Sequence, residues 1–366
     1  MSSTRHLRRA AQTEDRQRCP MRVSVNTRIL ASPTTGVQRY LTELLERIPT
    51  VQTLAPVRRL AGLAGHAWEQ GILPAHARGT VLWSPSNTGP LAVHNQVVTI
   101  HDVVPLEHPE WLNARFAAWY RFLIPRLARR AARVIAVSEF TKERLLAYSK
   151  VDPDKITVVH SGVGKQFSPR PACDVARARA ALSIPDGPYV LAVGSLEPRK
   201  NLGRLLAAWA RLLQGLPANV SLVVTGGKGK QTVFADVPEL RCLPERVHLT
   251  DYAPDEVLPG LYTGASVFVY PSVYEGFGLP PLEAMACGTP VIVGNRASLP
   301  EVVGDAGVSV NPYDIDAIAT AIAQVLVDPA IRAKLAPAAL QRASRFSWDR
   351  AATQTWTVLC AAADSH

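Results

Sequence analysis

Two carboxylates eight positions apart, Glu275 and Glu283, bracket the densest chemistry in this chain, within V-Y-P-S-V-Y-E-G-F-G-L-P-P-L-E-A-M-A-C-G-T-P at 269–290. An apolar, β-rich run stops at Pro271. A loop holding Glu275, Gly276, Phe277, Gly278 and Leu279 follows, and a helix is expected from about Pro281, closed by Gly288. Strand, glycine-bearing loop and helix N-terminus together point backbone N–H groups outward at an oxygen-rich, anionic ligand. Proline suits the first helical turn, where its missing N–H has no intrahelical partner. The two glutamates can then grip separate hydroxyls of one sugar-bearing ligand. A helix N-terminus that favours acidic residues through its dipole accounts for them equally.

Further candidates stand where apolar runs end. Tyr189 to Val193 leads into Gly194-Ser195-Leu196-Glu197-Pro198-Arg199-Lys200-Asn201. Adjacent cations in such a turn neutralise a diphosphate, Arg199 by its planar fork and Lys200 as a point charge; solvated turn charges are the plain alternative. Val97 to Ile100 ends in His101-Asp102, at a strand end where ligands gather in open α/β sheets. Gly36 sits in the first strand–helix turn, where a ligand phosphate can come close and where an ordinary turn also needs glycine. Ser138, after Val134 to Val137, reads as a helix N-cap.

Strand-like runs alternate with helical stretches throughout, the pattern of parallel α/β units. The length of 366 residues and an apolar share of 47% suit two buried cores. No window reaches the roughly 18 continuous apolar residues of a membrane span. The first twenty residues are polar and Arg-rich without an apolar h-region, so they read as a disordered leader rather than a secretory signal, with Met21 a candidate start. Five scattered cysteines without metal-ligand spacing fit a reducing cytoplasm. The net charge of +10 divides as +3 over residues 1–20, +7 over 21–160 and zero over 161–366. A basic first half facing an anionic partner follows. Without a recognition motif, nucleic acid is not expected as that partner.

One long helical stretch, Trp111 to Arg133, places Arg115, Trp119, Phe122, Arg126, Arg129, Arg130 and Arg133 in one stripe at about 100° per residue. Leu123, Ile124, Leu127 and Ala131 fall off it, toward a core. Basic and aromatic residues on one face suit a helix lying on an anionic membrane; a solvated arginine face is the alternative.

E-G-F-G-L-P-P-L-E, with seven residues between its glutamates, resembles the E-x7-E signature of the retaining glycosyltransferases of family 4. G-S-L-E-P-R-K-N resembles that family's G-x-x-x-x-x-K-N element, and the H-D strand end resembles the one facing the donor sugar. The likeness runs from Met21 nearly to the end. It implies an α/β protein of two Rossmann-like domains across a cleft (the GT-B fold), with a C-terminal helix crossing back to the first. The expected division is a leader at 1–20, an acceptor-side domain at 21–168, a nucleotide-sugar domain at 188–345 and the crossing helix at 346–362.

The resemblance also implies roles. Glu283 serves ribose hydroxyls, Arg199 and Lys200 the diphosphate, and Glu275 with the backbone of Gly276, Phe277, Gly278 and Leu279 the sugar. Ser195 lines the donor site, His101 closes it from the first domain, and Gly36 lies at the cleft mouth. His101, Glu275, Arg199 and Lys200 form the catalytic set. With no D-x-D in a plausible place, neither a divalent cation nor another cofactor is expected. T-T-G-V-Q-R-Y, H-D-V-V-P-L-E-H-P and G-S-L-E-P-R-K-N look most like bacterial mannosyltransferases of O-antigen or exopolysaccharide assembly. GDP-mannose is therefore the first donor, ahead of a UDP-hexose or dTDP-rhamnose, and the acceptor is a saccharide, with one carried on polyprenyl pyrophosphate at the inner membrane face as a candidate. A non-catalytic sugar-nucleotide or polysaccharide binder on the same fold is the rival.

Overall fold

A computed structural model describes residues 22–32, 35–60, 62–227, 243–250 and 252–364. The expected leader, Met21 and Lys228-Gly229-Lys230, which the sequence pattern places in a ligand-facing turn after Val220 to Val224, lie outside the described residues. Six parallel strands form the first sheet: β1 (Val23–Asn26), β2 (Gln52–Leu54), β3 (Val81–Ser84), β4 (Gln96–Ile100), β5 (Arg133–Ala136) and β6 (Ile156–Val158), in the order β2-β1-β3-β4-β5-β6. Six more form the second: β7 (Tyr189–Val193), β8 (Ser221–Thr225), β9 (Val247–Thr250), β10 (Val267–Tyr270), β11 (Val291–Gly294) and β12 (Val308–Val310), in the order β12-β11-β10-β7-β8-β9. Every residue of β3, β4, β10 and β11 is buried, because helices cover both faces of a parallel sheet. Chain order reverses between β7 and β10, which leaves a crevice at their carboxyl ends.

The apolar core does not stop at the domain boundary. Tyr40, Leu41 and Trp83 from the first half join Tyr262, Phe277 and Leu282 from the second in one cluster, together with Trp348 and Leu359. The last two belong to the helix Trp348–Ala363, started by Ser347, whose hydroxyl accepts from Asp349 N at 3.1 Å. That helix returns to the first domain: Trp348 meets the Tyr40 ring edge-on at 5.9 Å, and Arg47 pairs with Asp349 at 3.1 Å.

The arginine stripe is corrected in part. The helix spans Ala114–Arg130 and Ala131 leaves it with extended backbone, so Arg133 opens β5 instead of sharing the helical face. Leu123, Ile124 and Leu127 are buried as their spacing demands. Trp119 is only half-exposed, its ring 5.9 Å from Phe122 and 5.4 Å from His66. Arg115, Phe122, Arg126, Arg129 and Arg130 do face outward. Three of the basic groups also tie down neighbouring segments: Arg129 donates to the Ser149 carbonyl at 2.8 Å, Arg130 to His94 at 3.0 Å and Arg133 to the Asp154 carbonyl at 3.1 Å.

Candidate active site

The crevice between β7 and β10 holds the first glutamate. β10 ends at Tyr270, Pro271 stops the ladder, and the chain turns so that Glu275 faces the turn after β7. Arg199 donates to Glu275 Oε2 at 2.9 Å, while Lys200 donates to Oε1 at 2.7 Å and to the Tyr270 hydroxyl at 2.5 Å. Ser272 adds a hydroxyl to Oε1 at 2.7 Å. Glu197 holds Arg199 from the other side, Nε to Oε2 at 2.7 Å, and Ser195 donates to Glu197 in turn. Asn201, in the left-handed region with φ of 59°, locks the turn to β10 by donating to the Pro271 carbonyl at 3.0 Å. Burial alone would raise the Glu275 pKa, but Arg199 and then Lys200 outweigh it and hold the carboxyl near 2. Burial and the neighbouring guanidinium push Lys200 down. Arg199 and Lys200 are thus balanced by two buried carboxylates, Glu197 and Glu275.

The second glutamate stands differently. Gly278, at φ of 109°, a region that disfavours side chains, turns the chain into the helix Leu279–Ala286, and Glu283 lies on its buried face. Tyr262 donates to Glu283 Oε2 at 3.0 Å. Its other partner crosses the cleft: Arg39, on the first-domain helix Gly36–Leu45, pairs with Glu283 and reaches Asp255 at 2.6 Å. Burial wins over Arg39 here, and the Glu283 carboxyl is raised to about 7.

Between the two, the domains touch. A side chain at Gly276 would run into the His101 carbonyl, so glycine is required for the approach. Ser138 donates to the Gly276 carbonyl at 2.6 Å while its oxygen also caps its own helix, accepting from Thr141 N at 3.0 Å. A Cβ on Gly36 would lie 3.4 Å from Leu279. Glu301 spans the same gap, accepting from Glu139 N at 2.9 Å and from His160 Nε2 at 2.5 Å. His101 donates through Nε2 to the Pro85 carbonyl at 2.7 Å, and burial lowers its pKa to about 4, so it is neutral with its other ring nitrogen unprotonated.

Several sequence candidates meet where the domains touch: Gly276 of the glycine loop lies against the His101 carbonyl, and Gly36 abuts Leu279. Ser195 and Lys200 line a small pocket of the second domain with Gly194 and Tyr270. The sequence reading missed Arg39, Glu197 and Glu301. Arg39 lies within T-T-G-V-Q-R-Y, but its partners are 216 and 244 positions away. Glu197 carried one usable signal, an acid two positions before an arginine in a turn.

Paired parallel sheets whose carboxyl ends share one cleft, with a charge-balanced cage at the strand-order reversal of the second, make the GT-B architecture of two Rossmann-like domains. Residues 174–342 match the model for glycosyl transferases group 1, and residues 72–166 match that for glycosyltransferase family 4. The chain is 29% identical to O-antigen chain mannosyltransferase B of Escherichia coli over 92% of its own length and 98% of that protein. It is also 29% identical to the serotype-specific mannosyltransferase WbdA of Escherichia coli, over 69% of this chain but 32% of that larger protein. In fold it resembles HepE of Anabaena, solved with UDP and glucose, with a TM-score of 0.73 and 20% identity across 93% of this chain and 100% of that one. The chain is a glycosyltransferase that carries a group 1 domain and a family 4 domain.

Proposed function

We propose that this glycosyltransferase moves mannose from GDP-mannose to a saccharide acceptor during surface-polysaccharide assembly. The observation that carries the choice of sugar is the end-to-end likeness to an O-antigen chain mannosyltransferase. In this reading the ribose sits against Glu283 and the diphosphate enters beside Arg199 and Lys200, taking up donor groups now given to Glu197 and Glu275. Glu275, ionised at any physiological pH, keeps both cations in place and accepts from a sugar hydroxyl. Neutral His101 borders the sugar without adding charge. Retention follows when the departing phosphate guides the acceptor onto the face it leaves, so no covalent intermediate on Glu275 is needed. The paired cations supply the charge stabilisation a metal would otherwise give, and turnover is expected to survive EDTA; loss on chelation with recovery on adding manganese or magnesium overturns that part. The decisive test is acceptor-free hydrolysis of GDP-mannose, UDP-glucose and dTDP-rhamnose. GDP-mannose should be turned over fastest, and a clear preference for another donor would reject the mannosyl assignment.

The acceptor of such an enzyme is often lipid-linked, and a peripheral seat on an anionic membrane through Arg115, Phe122, Arg126, Arg129 and Arg130 belongs to the same proposal. Among the described residues no helix is long and apolar enough to cross a membrane. Each outward arginine near such a surface adds on the order of 1 kcal/mol.

A further inference from the structure

The segment after β4 carries a second constellation that the donor chemistry leaves unused. His108 and Trp111 stack face to face, with centroids 3.9 Å apart and planes 12° from parallel. Tyr274, the residue before Glu275, crosses from the other domain and presents its ring edge-on to both, at 5.6 and 6.4 Å. Charged groups rim the rings: Glu107 pairs with Arg144 at 2.7 Å, and Glu110 meets His108 at 3.0 Å. The Tyr274 hydroxyl is buried and turned toward Glu107. Inward from it lies Asp102, close enough to feel both Arg199 and Glu275.

A line of groups thus leads from the cage outward: Arg199, Asp102, Tyr274, the Glu107–Arg144 pair and the His108–Trp111 stack. Its chemistry alternates flat apolar faces with hydrogen-bonding edges. A pyranose has the matching surface, a patch of C–H groups on one side and hydroxyls around the ring. A lipid tail has no use for the charged rim, and a phosphate would meet Glu107, Glu110 and Asp102. We propose that this line is the acceptor subsite, with a pyranose laid on Trp111, its hydroxyls on Glu107 and Arg144, and its inner, reacting end beside Asp102. The proposal rests on the transferase reading and adds to it the residues that choose the acceptor.

Saturation-transfer NMR with the methyl pyranosides of mannose, glucose, galactose, N-acetylglucosamine and rhamnose tests it on the whole protein, with calorimetry of GDP and UDP as a separate readout. At least one pyranoside should bind wild type and bind about tenfold more weakly to Trp111→Ala. Trp111→Phe, which keeps a flat ring, should recover most of the affinity, and nucleotide binding should be equal in all three proteins. The subsite is rejected when no pyranoside binds wild type, or when Trp111→Ala binds as well as wild type. A wild type that binds neither nucleotide would strike the donor reading instead, and the pyranoside result would still decide the subsite.

Discussion

The two glutamates of the E-x7-E stretch are equally buried, at 5% exposure each, and yet they live in opposite electrostatic regimes. Glu275 has two cations and a serine hydroxyl from its own domain, and its pKa falls to about 2. Glu283 has a tyrosine from its own domain and one arginine borrowed across the cleft, and its pKa rises to about 7. Desolvation is similar, so the number and origin of the counter-charges decide the sign. The first carboxylate is a permanent anion that organises its surroundings. The second is a titrating group whose charge depends on the domains being together.

The largest effect that would break this contrast is on Arg199. Arg199→Ala strips Glu275 and Glu197 of their shared cation in a buried site, and should cost about 3–5 kcal/mol in denaturant-induced unfolding, with turnover abolished. A loss below about 1 kcal/mol would mean that the cage is not a rigid unit. Arg39→Ala should be far milder, because Glu283 can take up a proton once its partner is gone; a stability loss as large as that of Arg199→Ala would remove the distinction.

The pH profiles sharpen the same comparison. A carboxyl lowered to about 2 contributes stability that is fully present above its ordinary 4.5 and is lost only as pH falls from there toward 2. A carboxyl raised to about 7 does the reverse, giving up stability as pH rises from 4.5 through 7. Between pH 5 and 8, Glu283→Gln should therefore flatten the fall in stability, while Glu275→Gln should leave its slope untouched. In calorimetry, GDP affinity should rise over that window as Glu283 ionises and becomes the better acceptor for ribose hydroxyls, and Glu283→Gln should abolish the rise. A pH-independent wild type would place the ribose elsewhere. Glu275→Ala should depress turnover more than bare GDP binding.

The smallest expected effect lies on the outer helix. Arg126→Glu/Arg129→Glu/Arg130→Glu should weaken co-sedimentation with anionic vesicles at low salt and leave neutral vesicles unaffected. Equal sedimentation of mutant and wild type would make the stripe a solvated face.

Much of this was legible before any fold was seen, for reasons specific to each segment. β7 reads directly, with its bounds, because a strand buried on both faces is an unbroken apolar run. β2 did not, since only Leu54 of its three residues is buried. The cage was half legible: Arg199, Lys200 and Glu275 could be named from their turns, but their mutual pairing joins residues 75 and 76 positions apart. Ser138 looked like a cap and is one, though its hydroxyl also crosses to Gly276, which no local pattern encodes. Arg133 kept the helical phase of its predecessors after the backbone had already left the helix at Ala131.

The returning helix Trp348–Ala363 has a consequence for the order in which the molecule can be built. Its apolar face covers Tyr40 and closes the core that begins at β1, so the first domain is finished by a segment made only after the second. Until then the side of Tyr40 that Trp348 covers lies open, whereas the sheet from β7 to β12 is complete within the second domain. Synthesis runs from the first domain to the second, while completion runs the other way.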